Sequence, residues 1–105
     1  MNDIERLLRQ AIEERRRVRA LYKGRHRELC PHALGWKGEA RYALLYQCAG
    51  ESAGGLSEKP EANWRCMDVA QLEDVEIIQG DWLTPTNYSL PTRCLDVVEV
   101  SVDEL

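Results

Sequence analysis

The chain has 105 residues, of which 44% are hydrophobic and 30% are charged, and this balance is typical of a single globular domain over residues 1–105. No apolar run approaches the roughly 18 residues that a membrane-spanning helix needs. The acidic start, Met1–Glu5, does not resemble a secretory signal. We therefore expect a cytoplasmic protein that has no membrane partner.

The net charge of −4 is unevenly distributed along the chain. Residues 1–27 contain nine basic and four acidic side chains, whereas the rest of the chain contains five basic and 14 acidic ones. Such polarity can mark a nucleic-acid surface, for which the candidates are Arg15, Arg16, Arg17 and Arg19. The alternative is a solvated face whose arginines form ion pairs with acids elsewhere in the fold.

The first predicted element is an amphipathic helix over residues 2–16. Its apolar side chains follow the i, i+3, i+4, i+7 spacing, and they are Ile4, Leu7, Leu8, Ala11 and Ile12. Asn2 and Glu5 suit a capping box in the first turn. Arg15, Arg16 and Arg17 suit the negative end of the helix dipole, so we expect them in the last turn.

The apolar period then changes to two, which predicts strands. Five strands are predicted over about residues 17–79: Val18–Tyr22, Arg27–Cys30, Arg41–Cys48, Asn63–Val69 and Val75–Ile78. Turns are predicted at Lys23-Gly24 and at Trp36–Glu39. We expect Pro31 to end strand pairing or to lie at a sheet edge. The nearly continuous apolar character of Arg41–Cys48 predicts that both of its faces are covered.

Two segments have less regular patterns. Residues 49–62 contain Gly54-Gly55 and Pro60, which predicts a long connection of a kind that is often functional. Residues 84–105 form a C-terminal extension. Its valine-rich part, Leu95–Val102, favours a strand, although the spacing of Leu95, Val98 and Val102 also fits a helix.

The residues that usually carry chemistry form no recognisable set. The four cysteines show no C-x-x-C spacing and are expected to pack as small apolar side chains without disulfides. His26, Cys30 and His32 could approach a metal, but a fourth ligand is not evident, so no metal and no cofactor are predicted. The sequence contains no nucleophile motif and no phosphate-binding loop, so we do not expect an enzyme.

One helix followed by about five short antiparallel strands suggests a small twisted barrel. Ile12–Tyr22 and Pro31–Gly35 resemble the opening and the second strand of the WYL domain family. The family's Trp-Tyr-Leu triplet falls on Arg41-Tyr42-Ala43, and its later arginine-containing strand falls on Arg65–Leu72. Within that strand, Asp68 and Gln71 occupy two positions that are basic in the family.

The chain is most similar to short stand-alone members of this family. The features that resemble them are Tyr46-Gln47, the Ser/Gly segment Gly50–Gly55, and Trp64-Arg65. The resemblance covers roughly residues 4–83. It implies an α+β, mainly β fold, in which an N-terminal amphipathic helix packs on a small five-stranded antiparallel Sm-like barrel. The extra C-terminal strand would lie outside the family pattern.

The resemblance also implies a regulatory or sensor module that binds a small anionic ligand, such as a nucleotide, or a short nucleic acid. Such a module would act through a protein partner. The candidate ligand-binding residues are Arg65, Tyr42, Gln47, His32 and Trp64. Each has a structural alternative: an ion pair for Arg65, packing for Tyr42 and Trp64, support of the neighbouring loop for Gln47, and a structural role for His32.

A different class of function stays open beside this one. The chain could be an interaction or assembly module that forms a homo-oligomer or a complex and has no small-molecule site. Open small barrels commonly associate by strand addition. The C-terminal valine-rich strand would then be the natural contact.

Overall fold

The computed structural model describes residues 3–50, 63–84 and 94–102. It contains one helix, α1 (Asp3–Glu14), and six strands: β1 (Val18–Tyr22), β2 (Arg25–Lys37), β3 (Ala40–Gly50), β4 (Trp64–Asp68), β5 (Leu72–Ile77) and β6 (Val97–Ser101). The strands form one antiparallel sheet in the order β4-β3-β2-β1-β5, and β6 pairs with β2. The α+β, mainly β class is confirmed. Across these residues no helix combines the length and apolar character that a membrane crossing requires.

The sheet is curled but open. In the sheet order β4 and β5 lie at opposite edges, yet only the short 3₁₀ turn Val69–Gln71 separates them along the chain. The two edges must therefore approach each other at this end of the sheet. Among the described strands no ladder joins β4 to β5, so the predicted closure into a five-stranded barrel is not met.

The main core lies between α1 and the inner face of the sheet. Its largest fully buried side chains include Leu8 and Ile12 of α1, Leu29 of β2, Leu45 of β3 and Met67 of β4. A smaller apolar cluster covers the outer face of β2 and β3, and it consists of Ala33, Leu44, Cys94 and Leu95. The prediction that both faces of the third strand are covered is therefore confirmed.

The helix is shorter than predicted. It ends at Glu14, and Arg15 adopts a left-handed backbone conformation with φ 51°. The backbone N–H of Arg16 donates to the carbonyl of Ala11 over 2.8 Å, which closes the last turn. The prediction that Arg15, Arg16 and Arg17 belong to the last helical turn is wrong.

Strand β2 differs most from the prediction. It runs through Pro31 to Lys37, so Pro31 does not end the pairing. Proline lacks a backbone N–H, and the ladder with β3 accommodates it by a register shift between Pro31 and Ala33. The predicted turn shortens to Gly38 and Glu39, while β1 begins and ends at its predicted residues. Strand β5 starts at Leu72, three residues before the predicted Val75, because Leu72 pairs with Tyr22.

The C-terminal segment forms a strand, which settles the choice between strand and helix over Val97–Ser101. β6 pairs with residues 33–36 of β2, beyond the stretch of β2 that pairs with β1. Gly35 makes this close pairing possible, since a Cβ at that position would collide with the carbonyl oxygen of Val97. Residues 51–62 of the predicted long connection lie outside the described residues, as do residues 85–93.

The expectation about disulfides is wrong. Cys66 of β4 is bonded to Cys94, which precedes β6, and their Cα atoms are 5.5 Å apart. Cys30 and Cys48 remain free thiols. The error arose because no spacing rule in the sequence brings Cys66 and Cys94 together. Their contact depends on the C-terminal segment crossing the outer face of the sheet.

Candidate functional site

The candidate site lies at one end of the inner face of the sheet, where a cation is buried. Arg27 of β2 is only 6% exposed. Its Nη1 atom lies 3.4 Å from Oε1 of Gln47, and its guanidinium lies 5.2 Å from the centre of the Tyr22 ring. Arg27 is inside because it shares a strand face with Leu29, two residues along β2. The apolar core of the sheet thus ends in a positively charged group.

The guanidinium of Arg27 is incompletely satisfied. Its Nε atom is buried and has no hydrogen-bond partner among the described residues. Burial, and next the positive charge of Arg65, lower the pKa of Arg27 below its ordinary value. Arginine nevertheless stays protonated at neutral pH. A buried cation with an unused donor is costly, and an anion could compensate this cost.

Gln47 orients one side of the site. Its side chain is fully buried, its Oε1 accepts from Arg27, and its Nε2 donates to the carbonyl of Ala49 over 3.3 Å. Its backbone N–H donates to the carbonyl of Asn63 over 3.0 Å, which joins the end of β3 to the start of β4. Gln47 therefore both supports the chain entering β4 and fixes an acceptor against Arg27.

Arg65 supplies the second positive charge. It is half-buried in β4 opposite Leu45, and its Nη1 donates to the carbonyl of Trp64 over 3.1 Å. Arg65 pairs with Leu45, two residues from Gln47, whose side chain bonds Arg27, and its positive charge acts to lower the pKa of Arg27. Asp68 occupies the alternate strand face, and its carboxylate accepts from the backbone N–H of Ala70 over 3.0 Å. That carboxylate is thus engaged in capping the 3₁₀ turn.

His32 and Trp64 belong to a different cluster, on the outer face. The ring centres of His32 and Trp64 are 4.8 Å apart, and Trp82 lies 4.6 Å from His32 on another side. Nδ1 of His32 lies 2.7 Å from the carbonyl of Cys30, and Nε2 lies 2.9 Å from Oγ1 of Thr84. A carbonyl only accepts, so Nδ1 donates to Cys30, and in the neutral imidazole Nε2 accepts from the threonine hydroxyl. These contacts favour the structural interpretation of His32.

Tyr42 lies away from both groups. It is half-buried at the start of β3, packs against the outer cluster and has Nζ of Lys37 5.4 Å from its ring centre. The five predicted ligand residues therefore do not converge on one point. Gln47 and Arg65 lie at the inner site, His32 and Trp64 lie on the outer face, and Tyr42 lies five residues from Gln47 along β3.

The predicted nucleic-acid arginines are engaged within the fold. Arg17 pairs with Glu28 at 3.2 Å, Arg16 pairs with Glu14 at 3.6 Å, and Arg19 pairs with Glu76. Arg15 donates to the carbonyl of Val102 over 3.0 Å. Glu28 and Glu76 lie in the acidic remainder of the chain, so these contacts favour the ion-pair interpretation of the basic segment.

Arg27 was not among the predicted site residues. The sequence signal for Arg27 is strand alternation. Arg27 and Leu29 are two residues apart and therefore lie on the same face of β2, and an arginine on an apolar strand face is unusual.

In the described residues, no group of three or more histidine, cysteine, aspartate or glutamate side chains is placed to hold a metal ion. Comparison of the chain with family models, curated proteins and solved structures gave no match.

Proposed function

We propose that the chain is a WYL-like regulatory module that binds a small phosphate-bearing ligand at Arg27 and Arg65 and passes the signal to a protein partner. The observation that carries this proposal is the buried Nε of Arg27, which has no partner among the described residues and lies beside a second arginine. The resemblance to the WYL family supports it through Arg65, which matches a basic position of the family pattern.

The physical case rests on charge compensation. Two guanidinium groups that repel each other in a poorly solvated place would both be stabilised by one anion between them. The planar donors of arginine match the oxygens of a phosphate or carboxylate group. Gln47 would hold Arg27 in position, since its side-chain amide is itself fixed by Ala49.

The test is thermal unfolding of the full chain with inorganic phosphate, a nucleoside monophosphate and a short oligonucleotide. A ligand at 100 times its Kd stabilises the folded state by about 2.7 kcal/mol. We expect Arg65→Ala to weaken binding about tenfold to a hundredfold, the cost of one or two charge-assisted hydrogen bonds. Arg19→Ala is the matched control, since Arg19 pairs with Glu76 at the exposed surface.

A second variant separates binding from structure. Arg27→Met keeps the apolar stem but removes the buried charge, so it should abolish the response to anions while leaving the ligand-free protein equally stable or more stable. A variant that loses stability equally with and without anions would instead give Arg27 a purely structural role. Absence of any anion response in the wild-type protein at low salt would refute the proposed function.

An assembly module is the second candidate, and one observation favours it. Val97 of β6 is 58% exposed and pairs with Trp36 of β2, which is 39% exposed. In the described residues β6 pairs only with β2, so its other edge carries no strand. If the chain self-associates, its mass in sedimentation should rise with protein concentration. Val97→Glu should reduce this rise, whereas Leu83→Glu, a change at another exposed apolar residue, should not. A mass that is independent of concentration in the wild-type protein would exclude this candidate.

A further inference from the structure

The two free cysteines lie together on the outer face of the sheet. Cys30 of β2 pairs in register with Tyr46, and Cys48 lies two residues further along β3. A register shift between Glu28 and Leu29 leaves Cys48 at an irregular position in the ladder. Sγ of Cys48 lies 3.2 Å from the carbonyl oxygen of Glu28, two residues before Cys30 on β2, so the two thiols are neighbours across the ladder.

The chain beyond β5 crosses this pair as a strap, which we define as residues 78–84. The backbone N–H of Ile78 donates to the carbonyl of Arg17 over 2.9 Å, and Nε of Arg17 donates to the carbonyl of Asp81 over 3.2 Å. The same carbonyl lies 3.9 Å from Sγ of Cys30. Cys30 is fully buried beneath the strap, whereas Cys48 is only half-buried and can meet a reagent from solvent.

The surroundings favour one shared negative charge on the pair. The hydrogen bond from Cys48 lowers the pKa of Cys30 to about 7, and the charge of Arg17 acts in the same direction. The complementary bond to Cys30, followed by burial, raises the pKa of Cys48. The pair therefore favours a thiolate on Cys30 next to a thiol on Cys48, which is the arrangement that thiol–disulfide exchange requires.

We propose that Cys30 and Cys48 form a dithiol site that low-molecular-weight disulfides oxidise to an intramolecular disulfide between β2 and β3. The proton of Cys48 passes to the thiolate of Cys30, and the Cys48 thiolate attacks one sulfur of the reagent R–S–S–R. The first R–S⁻ leaves and takes up a proton. Cys30 then loses its proton to solvent and attacks Sγ of Cys48, which releases the second R–S⁻. Starting from one thiolate and one thiol, the protein loses two electrons and one proton, and the reagent takes up two electrons and two protons, one of them supplied by solvent, to become two R–SH.

The sequence allows a clean assay, because trypsin separates the four cysteines. Cleavage after Arg27 and Lys37 releases a peptide that contains Cys30, and cleavage after Arg41 and Arg65 releases one that contains Cys48. Cys66 and Cys94 fall in two further peptides, divided at Arg93. After incubation with oxidised glutathione, we expect peptide 28–37 linked to peptide 42–65, in addition to the bond between Cys66 and Cys94.

Variants distinguish this site from general cysteine oxidation. Cys48→Ser should abolish the new cross-link, and Cys30→Ser should abolish it too while shifting alkylation of the solvent-accessible Cys48 towards the pH range of an ordinary thiol, about 8.5. Cys66→Ser combined with Cys94→Ser should leave the cross-link intact. In the wild-type protein, the pH midpoint of alkylation at the pair should lie near 7. Cross-links that join Cys30 or Cys48 to Cys66 or Cys94 instead, or no product after hours at mildly alkaline pH, would overturn the proposal.

Discussion

Nε of Arg41 donates to Oε1 of Glu5 over 2.8 Å, and this bond ties strand β3 to helix α1. Both side chains are about 85% buried. Glu99 of β6 extends the contact, since its carboxylate accepts from Arg41 and also from Arg9 of the helix. The helix, the central sheet and the C-terminal strand thus meet in one network of charges.

The first prediction concerns the pH dependence of this network. The hydrogen bond from Arg41 lowers the pKa of Glu99 below its ordinary value of 4.5. The ionised Glu99 therefore stabilises the folded protein at pH values above 4.5. This contribution is lost as the pH falls through the lower pKa that Glu99 has in the folded state. The Tm of the wild-type protein should fall more steeply below about pH 5 than that of Glu99→Gln. Glu76→Gln, in an exposed pair with Arg19, should match the wild-type slope. Parallel slopes for wild type and Glu99→Gln would contradict this assignment.

The second prediction concerns the close pairing of β6 with β2. Gly35→Ala places a methyl group against the carbonyl of Val97, so β6 must shift away from β2. We expect a loss of about 1–3 kcal/mol in the free energy of unfolding and faster amide exchange over Val97–Ser101. Gly24→Ala is the control: at φ 76° alanine strains the turn after β1 but meets no neighbouring atom, so this variant should lose stability without faster exchange over Val97–Ser101. Unchanged exchange in β6 of the Gly35→Ala variant would disprove the close approach.

The third prediction concerns the bond between Cys66 and Cys94, which are 28 positions apart in the sequence. Closing a loop of this length stabilises a protein by about 3.6 kcal/mol in the chain-entropy model. Replacing both cysteines by serine should lower the free energy of unfolding by about that amount. The same variant in reductant should match the reduced wild-type protein. Equal stability of the oxidised and reduced wild type would show that the bond does not constrain the fold.

The fourth prediction concerns Thr84, which joins two aromatic residues. Its Oγ1 accepts from Nε1 of Trp82 over 3.0 Å and contacts Nε2 of His32. Thr84→Val removes both hydrogen bonds at constant size. It should lower the free energy of unfolding, measured in urea, by about 1 kcal/mol, a small loss for two hydrogen bonds because the site is partly solvated. Thr84→Ser keeps the hydroxyl and should retain the wild-type tryptophan emission. Wild-type emission in Thr84→Val, or a changed emission in Thr84→Ser alone, would contradict a role of the hydroxyl.

Local sequence patterns predicted the elements well where the periodicity or the side-chain type is unambiguous. Strand β1 was located at both ends because its alternation is uninterrupted and Lys23-Gly24 marks the turn. The valine-rich β6 was likewise expected, since β-branched side chains favour strands. The helix end was misplaced because Arg15, not a glycine, adopts the left-handed conformation. Strand β2 was cut short because the bulge that admits Pro31 depends on its partner β3.

The candidate site was harder to predict because it depends on tertiary structure. Arg65 and Gln47 were expected and do lie near each other, but Arg27 was not expected, since the sequence does not reveal which end of a strand becomes the inside of a curled sheet. His32 and Trp64 were grouped with them by family position, yet strand alternation directs them to the opposite face. The contact between Cys30 and Cys48 likewise depends on the register of β2 and β3.

The short link between β4 and β5 has a consequence for the order in which the chain folds. Strand β5 pairs with β1, so Val18 must find Ile77 across most of the sequence. The hairpins β1-β2 and β2-β3 can form from neighbours, whereas this last pairing must wait until the intervening strands have assembled. We therefore expect folding on the slow timescale of proteins dominated by distant pairings, with β5 gaining exchange protection last.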